Sequence, residues 1–162
     1  MPYTFIGFDG EFKNAHSKII LYCNNCKETW SLSINNFLNN KGCPICNKSK
    51  GEKLIRKILL DYNIDFVQEK RFDTCKDKIM LPFDFYIPSL NLLIEYDGQQ
   101  HFKDGWFKNL ENLEKTQYHD KIKNDWANKN NICLIRYNYN QSFKEIENNL
   151  LGLLNSYESR KK

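Results

Sequence analysis

LPFDFYIPSLNLLIEYDGQQHF, residues 81–102, carries two strand-like runs and the side chains on which the reading of the whole chain turns. LPFDFYI (81–87) alternates apolar and polar residues with the period of a strand, and Pro88-Ser89 marks a turn. LNLLIEYD (90–97) follows with a continuous apolar run, the mark of a central strand covered on both faces, and Gly98 ends it. A period of two points Glu95 and Asp97 to one face of the sheet, and a short hairpin sets Asp84 beside them. Three carboxylates converging at a buried strand end repel one another and lose hydration, unless a cation or protons offset them. Asp84, Glu95 and Asp97 are therefore candidate ligands of a hard divalent cation such as Mg²⁺. Phosphodiester hydrolysis uses such a cation to polarise phosphate and activate water.

Working outward, Leu54, Ile55, Ile58 and Leu59 recur at helical spacing from Glu52 to about Tyr62, and a strand is expected around Phe66–Phe72. Residues 110–129 read as a helix, ICLIRY (132–137) as a further buried strand and FKEIENNLLGLL (143–154) as an amphipathic helix. Helix, strand, hairpin, helix, strand, helix predicts an α/β (α+β) domain over 51–162, a mixed sheet flanked by helices.

Glu52 opens the first of these helices, where it can lean toward the same strand end. His101 follows the glycine turn after Asp97, and Asp120 shares a helix face with Lys123, three residues on. A helix packed near that strand end brings Asp120 to His101, where a carboxylate on one ring nitrogen leaves the other to take a proton from water. Each residue alone has a plainer reading: a turn at Asp97-Gly98, a helix N-terminal charge at Glu52, a surface ion pair at Asp120 and Lys123. Their coincidence at one buried strand and its exit favours a catalytic site.

Residues 1–50 are of another kind. YTFIGF (3–8) and KIILY (18–22) read as short strands, and Cys23-Asn-Asn-Cys26 is matched by Cys43-Pro-Ile-Cys46. Two CxxC turns at this spacing are the pattern of a structural zinc site, whose four thiolates leave no open position. Cys75 and Cys133 lack partners at ligand spacing and read as packing residues. NKSKG (47–51) is the expected linker between a four-cysteine zinc module over 1–50 and the 51–162 domain. The first fifty residues hold six lysines against three acidic groups, and the remainder eighteen basic against seventeen acidic, so most of the net charge of +4 lies on the module. That asymmetry suits docking on a polyanion such as double-stranded DNA, although a solvated basic face would look the same.

With 41% hydrophobic residues the chain has the means to build a core. No apolar run approaches a membrane span and the N-terminus does not read as a signal peptide, so a soluble, cytoplasmic protein is expected, in the host cell if the source is viral.

Gly51-Glu52, FDFYIP, LIEYDGQQHF, HDKIKNDW and ICLIRY together resemble the PD-(D/E)xK nuclease superfamily over about residues 51–140. The nearest branch is that of very-short-patch mismatch endonucleases and EDxHD homing endonucleases. KIILYCNNC…GCPIC running into Gly51-Glu52 is similar to phage-borne homing-endonuclease-like proteins with a zinc-ribbon-like module ahead of the nuclease. The resemblance implies a restriction-endonuclease-like fold, with the family's helix glutamate at Glu52 and its metal aspartate at Asp84. It places the variable position at Glu95, the general base at His101 and its supporting aspartate at Asp120. Asp97 stands where the ExK form has lysine, which implies the histidine version of the mechanism; Lys123 is a partial substitute for that lysine.

The expectation is a metal-dependent DNA endonuclease, homing-endonuclease-like and from a phage or other mobile element. Its catalytic residues are Glu52, Asp84, Glu95, Asp97, His101 and Asp120, with Mg²⁺ at the site and Zn²⁺ on Cys23, Cys26, Cys43 and Cys46. Cutting both strands from one site per chain would most simply take a homodimer. The alternatives are a non-catalytic, nuclease-derived nucleic-acid-binding protein and a mismatch-repair or restriction nickase on the same fold, because fold does not fix biological role.

Overall fold

The computed structural model describes residues 2–98 and 108–158. It separates into two compact units, Met1–Ser49 and Lys50–Lys162.

In the first unit β1 (Tyr3–Asp9), β2 (Lys18–Cys23) and β3 (Thr29–Ser33) form an antiparallel sheet in that order. A short helix, α1 (Ile34–Leu38), follows, its N-terminus capped by the Ser33 side chain, which accepts from Asn36 N–H. The interior is small: Ile19, Leu21 and Cys23 are buried, and Tyr3 packs edge-on against Trp30 and Phe37. So small a core gives little stability alone, which leaves room for a metal cross-link to supply the rest. A register shift between Phe5 and Gly7 brings the rings of Phe5 and Phe8 into contact, and Phe12 continues the exposed row.

The second unit opens with α2 (Lys50–Asp61), followed by β4 (Val67–Lys76), β5 (Met80–Ile87), a 3₁₀ turn over Pro88–Leu90 and β6 (Leu92–Asp97). The 3₁₀ turn ends at Asn91 in a left-handed conformation, so the strand read from residue 90 begins at Leu92. α3 (Lys108–Lys129) then crosses over to β7 (Cys133–Asn138), and α4 (Phe143–Glu158) ends the described chain. The sheet runs β4-β5-β6-β7, antiparallel except for the parallel β6–β7 pair that the α3 crossover allows. The resulting mixed sheet with flanking helices is the α+β architecture expected from the element order.

The two faces are covered by different helices. Ile55, Ile58 and Leu59 of α2 and Ile146, Leu150 and Leu154 of α4 pack with Phe85, Leu92 and Ile94. On the other face Ile122, Trp126 and Ala127 of α3 meet Leu81, Phe83 and Leu93. Burial of β6 from both sides explains its unbroken apolar run. β7 differs from its reading as a buried strand: among the described residues it pairs only with β6 and forms the sheet edge, so its residues are mostly half-exposed and Cys133 is exposed. Cys75 is buried and packs as expected.

The simple alternation of β5 is also interrupted. Leu81 and Phe83 belong to the α3 face, whereas Phe85 and Ile87 belong to the α2–α4 face. The reversal falls at Asp84. Opposite it, between the paired positions Gln68–Phe85 and Lys70–Phe83, stands Glu69 with a left-handed φ of 52° inside β4. A left-handed residue in a strand breaks the side-to-side alternation, and for a non-glycine it costs about 1–2 kcal/mol.

Candidate active site and metal centres

Gly51 lies against the Tyr96 ring so closely that a Cβ at this position would overlap it. The first turn of α2 thus rests on the end of β6, with Glu52 as its acidic residue. Glu52 from α2, Glu69 from β4 and Asp84 from β5 each offer a carboxylate oxygen, all within 4.8 Å of one another. Asp84 is fixed by the backbone: Tyr96 N–H donates to its Oδ2 at 2.8 Å. This set is a cradle of hard oxygen donors such as a divalent cation accepts. Glu69 was missed in the sequence, because no residue pattern announces the left-handed turn that sets it opposite Asp84.

Glu95 and Asp97 have other partners. Glu95 is 5% exposed and accepts from Lys123 Nζ through both oxygens, at 2.9 and 3.0 Å. Burial raises its carboxyl from 4.5 to about 7, against the lowering effect of Lys123, while Asp84 adds repulsion. The Lys123 ammonium also stands over the Phe83 ring, 5.3 Å from its centroid. Asp97 Oδ1 accepts from Arg136 Nη1 at 3.2 Å, and the same nitrogen donates to Asp120 Oδ1 at 3.0 Å. The structure thus joins Asp84 to Glu52 and Glu69, Glu95 to Lys123, and Asp97 to Asp120 through Arg136. His101 lies outside the described residues.

Asp84, Glu95, Asp97, Asp120 and Lys123 share the walls of a cleft of about 510 Å³, together with His119. His119 Nε2 lies 3.3 Å from Asp77 Oδ2, on the connection between β4 and β5. Asp77 lies between Lys76 and Lys78, and no motif in the sequence singles it out.

In the first unit the sulfurs of Cys23, Cys26, Cys43 and Cys46 lie within 4.8 Å of one another. Cys23–Cys46 and Cys26–Cys43 are each 3.5 Å apart. Zinc–sulfur bonds of about 2.3 Å in a tetrahedron require sulfurs roughly 3.8 Å apart, so the set fits zinc closely. Lys27, with a φ of 64°, closes the first knuckle by donating N–H to Cys23 O at 2.9 Å. A backbone hydrogen bond from Cys26 lowers the Cys23 thiol to about 6, whereas burial raises Cys26 to about 12. Thiolates this close need a cation to be charged together.

Residues 1–47 match the CapR homology domain. "Uncharacterized protein 307L" of Invertebrate iridescent virus 6 is 32% identical over 136 residues, covering 68% of this chain and 68% of the viral protein. The chain belongs to the 307L family. "Uncharacterized protein 033L" of Invertebrate iridescent virus 3 is 32% identical over 68 residues, 41% of this chain and 35% of its own length. A protein of Escherichia phage T5 named "Putative endonuclease" is 42% identical over 45 residues, 26% of this chain and 18% of its own length. No solved structure matches. No helix among the described residues is long and apolar enough to cross a membrane.

Proposed function

We propose that this member of the 307L family is a metal-dependent DNA endonuclease of the PD-(D/E)xK type. The observation that carries the reading is the convergence of Glu52, Glu69 and Asp84 from three elements, with Asp84 opening on the cleft that holds the Lys123–Glu95 pair. Three carboxylates suit Mg²⁺ as ligands. When bound there, Mg²⁺ polarises a phosphate oxygen and lowers the pKa of a coordinated water. Lys123, anchored on Glu95, gives the cleft a fixed positive charge for the phosphate. Arg136 ties Asp97 and Asp120 into the wall between β7 and α3. His101 keeps the part of proton acceptor that the resemblance implies.

The phage T5 protein's printed name, "Putative endonuclease", supports the reading through a short shared segment. The basic first fifty residues, with zinc on their four cysteines and Phe5, Phe8 and Phe12 exposed, form a surface for duplex DNA in this reading, lysines meeting phosphates. Viral and phage relatives favour a role on a mobile or viral genome, homing-endonuclease-like in chemistry. Incubating the purified chain with supercoiled plasmid and Mg²⁺ tests the proposal. Nicked or linear product that disappears with EDTA is expected; intact plasmid across Mg²⁺ and Mn²⁺ concentrations would refute it.

A further inference from the structure

We propose that His119, held by Asp77, delivers the proton to the leaving oxygen in DNA cleavage, an inference that rests on the endonuclease reading. The two side chains are 25% and 28% exposed, and the 3.3 Å contact joins Nε2 to Oδ2. An ionised carboxylate only accepts, so Nε2 carries the hydrogen of this bond and Nδ1 is left to exchange protons. His119 lines the cleft with Asp84, Glu95 and Lys123 and stands about one helical turn before Lys123, on the same face of α3.

Its wall of the cleft decides the role. Among the described residues the clustered carboxylates come from α2, β4 and β5, and none from α3. α2 and α3 cover opposite faces of the sheet. In an in-line displacement the attacking and leaving oxygens lie on opposite sides of phosphorus. A water activated at the carboxylates therefore leaves α3 facing the departing oxygen. Asp77, bonded to Nε2, fixes the tautomer of the ring and leaves Nδ1 toward the cleft for proton transfer. In the step, water oxygen bonds to phosphorus and the bond from phosphorus to the sugar oxygen breaks, its electron pair staying on that oxygen. The oxygen takes the proton from Nδ1, the water's proton passes to the base, and the neutral ring regains a proton from solvent.

Among the described residues the charged groups around His119 are Asp77 on the β4–β5 connection, Asp120 and Lys123 on α3, and Asp84, Glu95 and Asp97, which line the same cleft. Single-turnover plasmid cleavage with Mg²⁺ is measured against pH for the wild type, His119→Gln and Asp77→Asn, with folding checked by circular dichroism. His119→Gln is expected to lose roughly 10²–10⁴-fold and Asp77→Asn less. The wild-type decline at high pH, where an acid catalyst has lost its proton, is expected to vanish in His119→Gln. Folded His119→Gln cutting at the wild-type rate, or keeping the high-pH decline, overturns the proposal. Histidine ¹⁵N spectra of the whole chain, with His119→Gln as assignment control, give a readout independent of cleavage. They are expected to show an Nε2-protonated ring whose signals move in Asp77→Asn; the opposite tautomer, or no movement, overturns the pair. A wild-type chain that fails to cut at all refutes the endonuclease reading instead, and the spectra still decide the pair.

Discussion

Replacing Lys123 with methionine strands the Glu95 carboxylate inside the sheet, and the cost depends on pH. Burial first, opposed by Lys123, moves the Glu95 carboxyl from 4.5 to about 7. A shift of that size corresponds to on the order of 3 kcal/mol, at roughly 1.4 kcal/mol per unit. Because the folded value lies above the unfolded one, the folded protein binds more protons between pH 4.5 and 7. The group's stabilising contribution is complete below 4.5 and is lost as pH rises through 7. Lys123→Met raises the folded value further, so at pH 8 the carboxylate stays buried without its ammonium or takes up a proton at a cost. Breaking a buried pair by removing one partner costs about 3–5 kcal/mol. At pH 5.5 Glu95 is mostly neutral with or without Lys123, and the loss falls to about 1 kcal/mol, that of the hydrogen bonds. Urea unfolding of both proteins at pH 5.5 and pH 8 reads the difference. Equal losses at the two pH values would refute the reasoning.

Cys43→Ser is expected to abolish stoichiometric zinc and unfold residues 1–49 while the 50–162 unit keeps its fold; elemental analysis and circular dichroism check this, and collapse of the whole chain would contradict it. Gly51→Ala forces α2 off the Tyr96 ring, an overpacking cost of about 1–3 kcal/mol, and should reduce cleavage as Glu52 shifts; melting and plasmid assays measure both. Glu69→Gly removes a cradle carboxylate at a position whose left-handed backbone suits glycine, so cleavage should fall at least about tenfold through the lost charge and not through unfolding. Thermal melts beside rate measurements separate the two effects.

The sheet was legible because its strands carry distinct signatures: the apolar run of β6 matches its burial under helices on both faces, and Pro88 with Gly98 marks its limits. The edge position of β7 was not, since its apolar composition resembles that of a covered strand and only the pairing partner tells them apart. At the site, Glu52 and Asp84 could be named from the helix start and the strand pattern. Glu69, the partner that completes the cradle, depends on one backbone angle that no residue type in Gln68-Glu69-Lys70 foretells. Period two correctly put Glu95 and Asp97 on one face, yet their partners arrive from α3 and β7, at a distance in sequence that spacing cannot read. The clustering of the four cysteines was legible because two CxxC turns are local at each end.

The central claim is that Asp84 serves a cation that cuts DNA. Single-turnover cleavage of plasmid by Asp84→Ala in Mg²⁺, run beside a mobility-shift titration of the same protein on duplex DNA, tests it most directly. The account predicts no detectable cutting with DNA binding equal to or tighter than wild type, because one negative charge is gone from the face of a polyanion. Cleavage at the wild-type rate would contradict it.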